Sequence, residues 1–176
     1  MIPLPKDFVT RIETGPLGQT PLIQSLDSES PISIRLNPKK ESVQFENEEV
    51  VSWCSAGRYL NERPSFTLDP LFHAGTYYPQ EAGSMYIDAI VRSIQLPDEP
   101  VLLDLCAAPG GKSTLLASFL DNRGMLISNE IIRSRAYILA ETLTKWGFSN
   151  TFVSNNAPAD FEKLHSYFDF ILVDAP

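Results

Sequence analysis

Cysteine, long apolar runs and basic charge are all scarce in this 176-residue sequence, and each scarcity narrows what the protein can be. Two cysteines, Cys54 and Cys106, are too few for a disulfide framework and lack metal-site spacing, so reduced thiols and no structural metal are expected. No uninterrupted apolar run is long enough to span a bilayer, and the opening Met1-Ile2-Pro3-Leu4-Pro5-Lys6-Asp7 has no basic segment leading into an apolar one. A soluble, cytoplasmic protein is expected. Lysine and arginine number 14 against 22 aspartates and glutamates, a net charge of -8. Phosphate neutralisation normally requires an excess of cations, so any RNA surface must be local. Low-complexity tracts and fixed-period repeats are missing too, which excludes repeat architectures.

What is present divides by proline, glycine and changes of hydrophobic period. Residues 1–63 predict a small α+β domain, with helical stretches around Phe8 to Glu13 and Pro21 to Leu26. The alternation Ile32-Ser33-Ile34-Arg35-Leu36 predicts a half-exposed strand closed by Asn37-Pro38, and Val50 to Trp53 offers a further strand. Residues 64–97 lead into the next domain: a proline- and aromatic-rich connector to Pro79, then a helix from Gln80 to Ile94 that ends before Pro97. Met85, Ala89 and Ile90 are expected on one face of that helix, with Ile94 one turn later.

Residues 98–176 alternate strand and helix: Val101 to Leu105, Ser113 to Leu120, Gly124 to Ser128, Ile131 to Trp146, Thr151 to Val153 and Phe168 to Val173. Apolar strands separated by amphipathic helices predict an α/β fold, the first half of a doubly wound, mainly parallel sheet. Phe168 to Val173 reads as a central, fully buried strand, yet the sequence stops at Pro176 just beyond it. The expectation is therefore a partial domain.

The strongest chemical signal is Leu102 to Thr114, a buried strand that runs into the small-residue turn Cys106-Ala107-Ala108-Pro109-Gly110-Gly111-Lys112 and a helix start. Glycine brings backbone close to a ligand, and the free amides of a first helical turn offer donors and positive potential. A phosphate-binding P-loop would need glycine where Cys106 stands, and a dinucleotide fingerprint would need more than Gly110 and Gly111. S-adenosylmethionine is the remaining common occupant; a tight connection without a ligand would use the same residues. Glu130 stands where a ribose-binding carboxylate belongs, roughly 20 residues past the glycines. It would equally suit the first turn of the next helix. Asp174, at the carboxyl edge of the sheet, is a candidate catalytic acid or a helix cap. Asp104 is expected to brace the turn, Cys106 to be a small buried residue, and His73 and His165 to take no part in catalysis.

Leu103 to Lys112, Asn129-Glu130, Val173-Asp174-Ala175-Pro176, Ser33 to Lys39, Tyr78 to Met85 and Arg135 to Gly147 together resemble the RNA 5-methylcytosine methyltransferases of the Sun/NOL/NOP family, bacterial ribosomal RNA enzymes included. The resemblance runs from about Ser33 onward. It implies a Rossmann-like methyltransferase sheet and S-adenosyl-L-methionine as donor. Donor contacts are implied at Cys106, Ala107, Ala108, Pro109, Gly110, Gly111, Lys112, Glu130, Arg135, Asn156 and Asp174, with Asp174 also beside the target cytosine. It further implies an RNA partner, ribosomal in preference to transfer RNA, and a cysteine thiolate that attacks the cytosine ring. That cysteine is expected beyond Pro176, so these residues alone should be inactive. Ala157 stands where the family usually carries an aspartate that contacts the donor, leaving Asn156 or Asp160 as substitutes. A non-catalytic cofactor- or RNA-binding module and an ATP-using protein are the competing readings.

Overall fold

The structure, a computed structural model, describes residues 4–18, 21–40 and 43–175. They fall into two compact units, Met1–Pro31 and Ile32–Pro176. The first unit holds α1 (Lys6–Thr14) and α2 (Leu22–Asp27), and no residue of α1 is buried.

In the second unit β1 (Ile32–Leu36) is the centre of an antiparallel sheet, flanked by β2 (Gly57–Leu60) and, after the short α3 (Pro70–His73), by β3 (Tyr77–Pro79). The expected boundary after Arg63 thus passes between two strands of one sheet. β1 is not half-exposed: Ser33, Ile34 and Arg35 are all buried. Ile34 packs with Phe45, Leu60 and Tyr77 on one side. The polar residues between face a second interior, where the Ser33 hydroxyl donates to the Gln80 carbonyl at 2.7 Å. Alternation here separates two interiors, not core from solvent.

The strand expected at Val50 to Trp53 is instead a turn that reverses into β2, with Cys54 N–H donating to the Val51 carbonyl and Gly57 N–H to that of Cys54. Gly57 is needed for closeness, since a Cβ there would lie 2.7 Å from the Met85 sulfur. In the connector, Asp69 caps α3 by accepting from Leu71 N–H at 2.9 Å and takes the Tyr77 hydroxyl at 2.6 Å.

A single 3₁₀ turn, Gly83–Met85, opens α4 (Tyr86–Ser93). Its buried face is Met85, Asp88 and Val91, while Ile90 and Ile94 are 39% and 41% exposed. The buried face is thus rotated from the one expected, and the burial of Asp88 is tolerated through its ion pair with Arg92 at 2.9 Å.

The remaining elements are β4 (Val101–Asp104), α5 (Gly111–Leu120), β5 (Met125–Asn129), α6 (Arg133–Trp146), β6 (Thr151–Ser154) and β7 (Phe170–Leu172). The strands form a parallel sheet in the order β6-β5-β4-β7, the α/β architecture expected. Leu102, Leu126 and Leu172 form one core with Val91, Leu115, Leu116, Leu120, Trp146 and Phe148. Each such leucine contributes roughly 1.5–3 kcal/mol. Among the described residues β7 pairs with β4 alone, and Ile171 and Val173 are 52% and 57% exposed. Apolar residues on both faces signal burial only where something covers both faces. Among the described residues no helix is long and apolar enough to cross a membrane.

Candidate functional site

Asp104 ends β4 and the chain turns through Leu105 to Gly110 into α5. Gly110 makes the turn with φ +112°, and a Cβ on it would meet Thr142 at 2.9 Å, so no other residue fits without strain. Its carbonyl accepts from Thr114 N–H at 2.8 Å, which leaves the amides before it free of that first helical bond.

A cavity of about 200 Å³ opens over this turn. One wall comes from Asp104, Cys106, Ala107, Ala108, Pro109, Gly111 and Lys112, with Asp174 at the edge. Facing it are Tyr78, Pro79, Gln80, Glu81 and Ser84 from the end of β3 and the turn before α4. The second wall was not read from the sequence as part of a site, although Tyr78 to Met85 belongs to the family resemblance.

Asp104 is 1% exposed. One carboxylate oxygen accepts from the Ser113 hydroxyl at 2.6 Å, so it braces the helix start as expected. The other, Oδ1, is buried without a partner. Burial, helped by the Asp174 charge, pushes its pKa up to about 6, against the pull of the Ser113 hydrogen bond, the Lys112 charge and the Cys106 N–H. A buried carboxylate with an open lone pair is uncommon, because each unmet acceptor costs free energy. The Lys112 ammonium and the exposed Asp174 carboxylate pair at 2.5 Å across the cavity edge. Cys106 is half-buried and lines the cavity instead of being enclosed; burial first, then Asp104, Glu130 and Asp174, raise its thiol pKa.

Four of the expected donor residues, Gly110, Glu130, Arg135 and Asn156, are not among those lining this cavity. Glu130, 3% exposed at the end of β5, accepts from Ile132 N–H at 2.9 Å and lies 3.4 Å from Arg135. Arg135 in turn donates to the Ala108 carbonyl at 2.7 Å, bracing the turn from outside. Beyond β6, the Asn156 amide nitrogen reaches Asp160 at 3.5 Å, and Asp160 accepts from Ala157 N–H at 2.9 Å. Asp160 is thereby spent on the following turn.

Asn129 emerged only from the structure as a clamp. Fully buried, its side chain donates to the carbonyls of Leu105 and Asn156 at 3.2 and 3.0 Å and accepts from the Ser154 hydroxyl and Asn156 N–H. It ties together the carboxyl ends of three strands. Its signal was present in Asn129-Glu130, but nothing in one sequence shows three backbones converging on it. His73 contacts the Thr67 carbonyl at 3.0 Å, His165 is exposed, and neither lines the cavity. Among the described residues no group of His, Cys, Asp or Glu is arranged to hold a metal ion.

Two family models match in succession: the N-terminal domain of 16S rRNA methyltransferase RsmF over residues 4–82, and 16S rRNA methyltransferase RsmB/F over residues 91–176. Ribosomal RNA small subunit methyltransferase F of Aeromonas salmonicida is 34% identical over 82% of the chain, which covers 33% of that protein. That of Vibrio cholerae is 34% identical over 99% of the chain and 40% of its own length. The chain thus spans between a third and two-fifths of these curated relatives. A methyltransferase homolog from Pyrococcus horikoshii superimposes with a TM-score of 0.79 at 27% identity, over 98% of this chain and 59% of that one. NSun6 from the same organism, solved with SFG, gives 0.57 at 32% identity, over 65% of this chain and 29% of that one. Two models that between them take in nearly the whole length, on a parallel sheet with a glycine turn at its carboxyl edge, make the conclusion plain: the chain belongs to the RsmB/F family of S-adenosylmethionine-dependent ribosomal RNA methyltransferases.

Proposed function

We propose that this chain is the donor-binding portion of an RNA cytosine-5 methyltransferase acting on ribosomal RNA in the cytoplasm, with residues 98–176 holding S-adenosylmethionine. The observation that carries the reading is the unpartnered Asp104 oxygen beside the cavity. A protein does not leave a buried carboxylate oxygen empty without cost, and the amino-acid end of the donor brings an ammonium that fits it. The amides of the Cys106 to Lys112 turn and the helix start suit the donor's carboxylate. Glu130, Arg135 and Asn156 would serve the ribose and base from the ends of β5 and β6, and Ala157 leaves Asn156 to act where a carboxylate is usual in the family. When bound, the donor supplies an electrophilic methyl group.

Asp174 stands at the cavity edge on the Lys112 ammonium, and in this reading its carboxylate would meet the polar edge of a cytosine. Neither cysteine is prepared as the attacking thiolate. Cys54 is 2% exposed among Val51, Ala82 and Met85, and burial raises its pKa; that of Cys106 is raised by burial and three carboxylates. In this reading the 176 residues do not transfer methyl groups alone, and neither of their cysteines is the nucleophile.

Calorimetric titration of S-adenosylmethionine into the folded chain, with ATP as control, tests the first part. Saturable binding of the donor and none of ATP is expected; the reverse would make the cavity a nucleotide site. Incubation with radiolabelled donor and ribosomal RNA tests the second, and methyl transfer by this chain would refute the assignment of inactivity.

A further inference from the structure

Arg35 lies on β1, outside the parallel sheet, yet its side chain reaches the cavity's supports. It is 2% exposed. Nε donates to Gln80 Oε1 at 2.8 Å, and Nη2 donates to the Thr114 hydroxyl at 2.6 Å and to the Gly111 carbonyl at 3.2 Å. The guanidinium rests 4.6 Å over the Trp146 ring. Each of these hydrogen-bonding and stacking partners is neutral, while the buried Asp88 carboxylate acts on the guanidinium through space without a direct hydrogen bond to it. Burial pulls the Arg35 pKa down to about 10, which still leaves it charged at neutral pH.

A buried cation satisfied by neutral acceptors is a costly way to fill a core. Filling the space does not require a charge whose desolvation is costly, so burial alone gives no reason for an arginine here. What an arginine adds is a rigid, planar fork that holds several acceptors in fixed relation. Two of its acceptors belong to residues on opposite walls of the cavity, Gln80 after β3 and Gly111 at the first turn of α5. Those walls already approach closely, since a Cβ on Gly111 would lie 2.9 Å from the Tyr78 ring. Small changes in their spacing would be felt inside the cavity.

We propose that Arg35 is a positioning residue for the donor cavity: its fork sets the distance between the β3 wall and the glycine turn, making the antiparallel sheet a working part of the binding site. The inference rests on the donor reading above.

The test is calorimetric titration of S-adenosylmethionine into the 176-residue chain and its variants, with thermal melting of the same samples. Arg35→Gln is expected to weaken donor binding by about tenfold or more, because misplaced walls lose preorganised contacts. Arg35→Lys keeps the charge without the fork and should fall between. Thr114→Val removes one acceptor and should weaken binding by about threefold. Leu120→Val, a core change away from Arg35, lowers the melting temperature and should leave affinity within about twofold. Arg35→Gln binding as tightly as the parent, or affinity that tracks melting temperature in all variants including Leu120→Val, would reduce Arg35 to a structural residue. If Arg35→Gln does not fold, Arg35→Lys and Thr114→Val decide on the same terms. Loss of all donor binding in the parent would remove the donor reading and this inference with it. Tight parent binding with indifferent variants would remove this inference alone.

Discussion

The carboxyl ends of β4 and β5 lie side by side, and each carries a nearly fully buried carboxylate, but the two are treated in opposite ways. Glu130 is occupied on both oxygens, by Ile132 N–H and by Arg135. Asp104 has one oxygen engaged and one empty, and burial holds its pKa near 6. The difference is between a carboxylate whose two oxygens are both engaged and one with an oxygen left open. In the proposed reading the open Asp104 oxygen takes the donor's ammonium directly, whereas Glu130 would have to share its oxygens between its present partners and the ribose.

The comparison can be broken most forcefully at the clamp that holds both ends in place. Asn129→Ala removes four hydrogen bonds at a buried site and is expected to destabilise the protein by about 3 kcal/mol, read from denaturant unfolding. A change below about 0.5 kcal/mol would mean the strand ends are held by the sheet alone.

Asp104→Asn should separate stability from binding. Folded Asp104 holds its proton more tightly than the unfolded chain, since its pKa rises from 3.8 to about 6. The stability it contributes is thus full below the unfolded value and is lost as pH rises through the folded one, a cost of about 3 kcal/mol at neutral pH. Asparagine removes that cost, so the variant should be more stable at pH 7.5 by up to this amount. Its donor affinity should fall about thirtyfold, the value of one charge-assisted hydrogen bond. Gain of stability without loss of affinity would show that the empty oxygen is not the donor's.

Acid titration sharpens the same point without mutation. Between pH 7.5 and 5 donor affinity should fall about tenfold as Asp104 takes up its proton, while Asp104→Asn stays flat. Glu130→Gln is the smallest effect. It keeps the acceptor for Ile132 N–H and loses only a partly exposed ion pair, so stability should change by less than about 1 kcal/mol. A donor affinity lowered about fivefold would support the ribose role, and no change would leave Glu130 a helix-entry residue.

The parallel sheet, its helices and the glycine turn were legible because their signals are local. Leu102 to Thr114 carries a strand, a turn and a helix start in consecutive residues, and Gly110 sits where a positive φ is needed. Where reading failed, the missing fact was which surface a side chain meets. Ser33 and Arg35 looked solvent-facing, and Ile90 and Ile94 looked buried. Each misreading treated polarity as a guide to water, although a polar group may be buried if its hydrogen bonds are met and an apolar one exposed if nothing covers it.

The sequence by itself determined the alternation of strand and helix, the glycine turn and the family, because hydrophobic period, glycine and a contiguous motif act over a few residues. Only the tertiary structure decided that Gln80 and Glu81 face the turn, that Asn129 fastens three strand ends, that Asp104 keeps an oxygen free and that Arg35 spans the cavity's walls. Those depend on which segments distant in sequence are brought within hydrogen-bond range, and that is settled by packing of the whole unit.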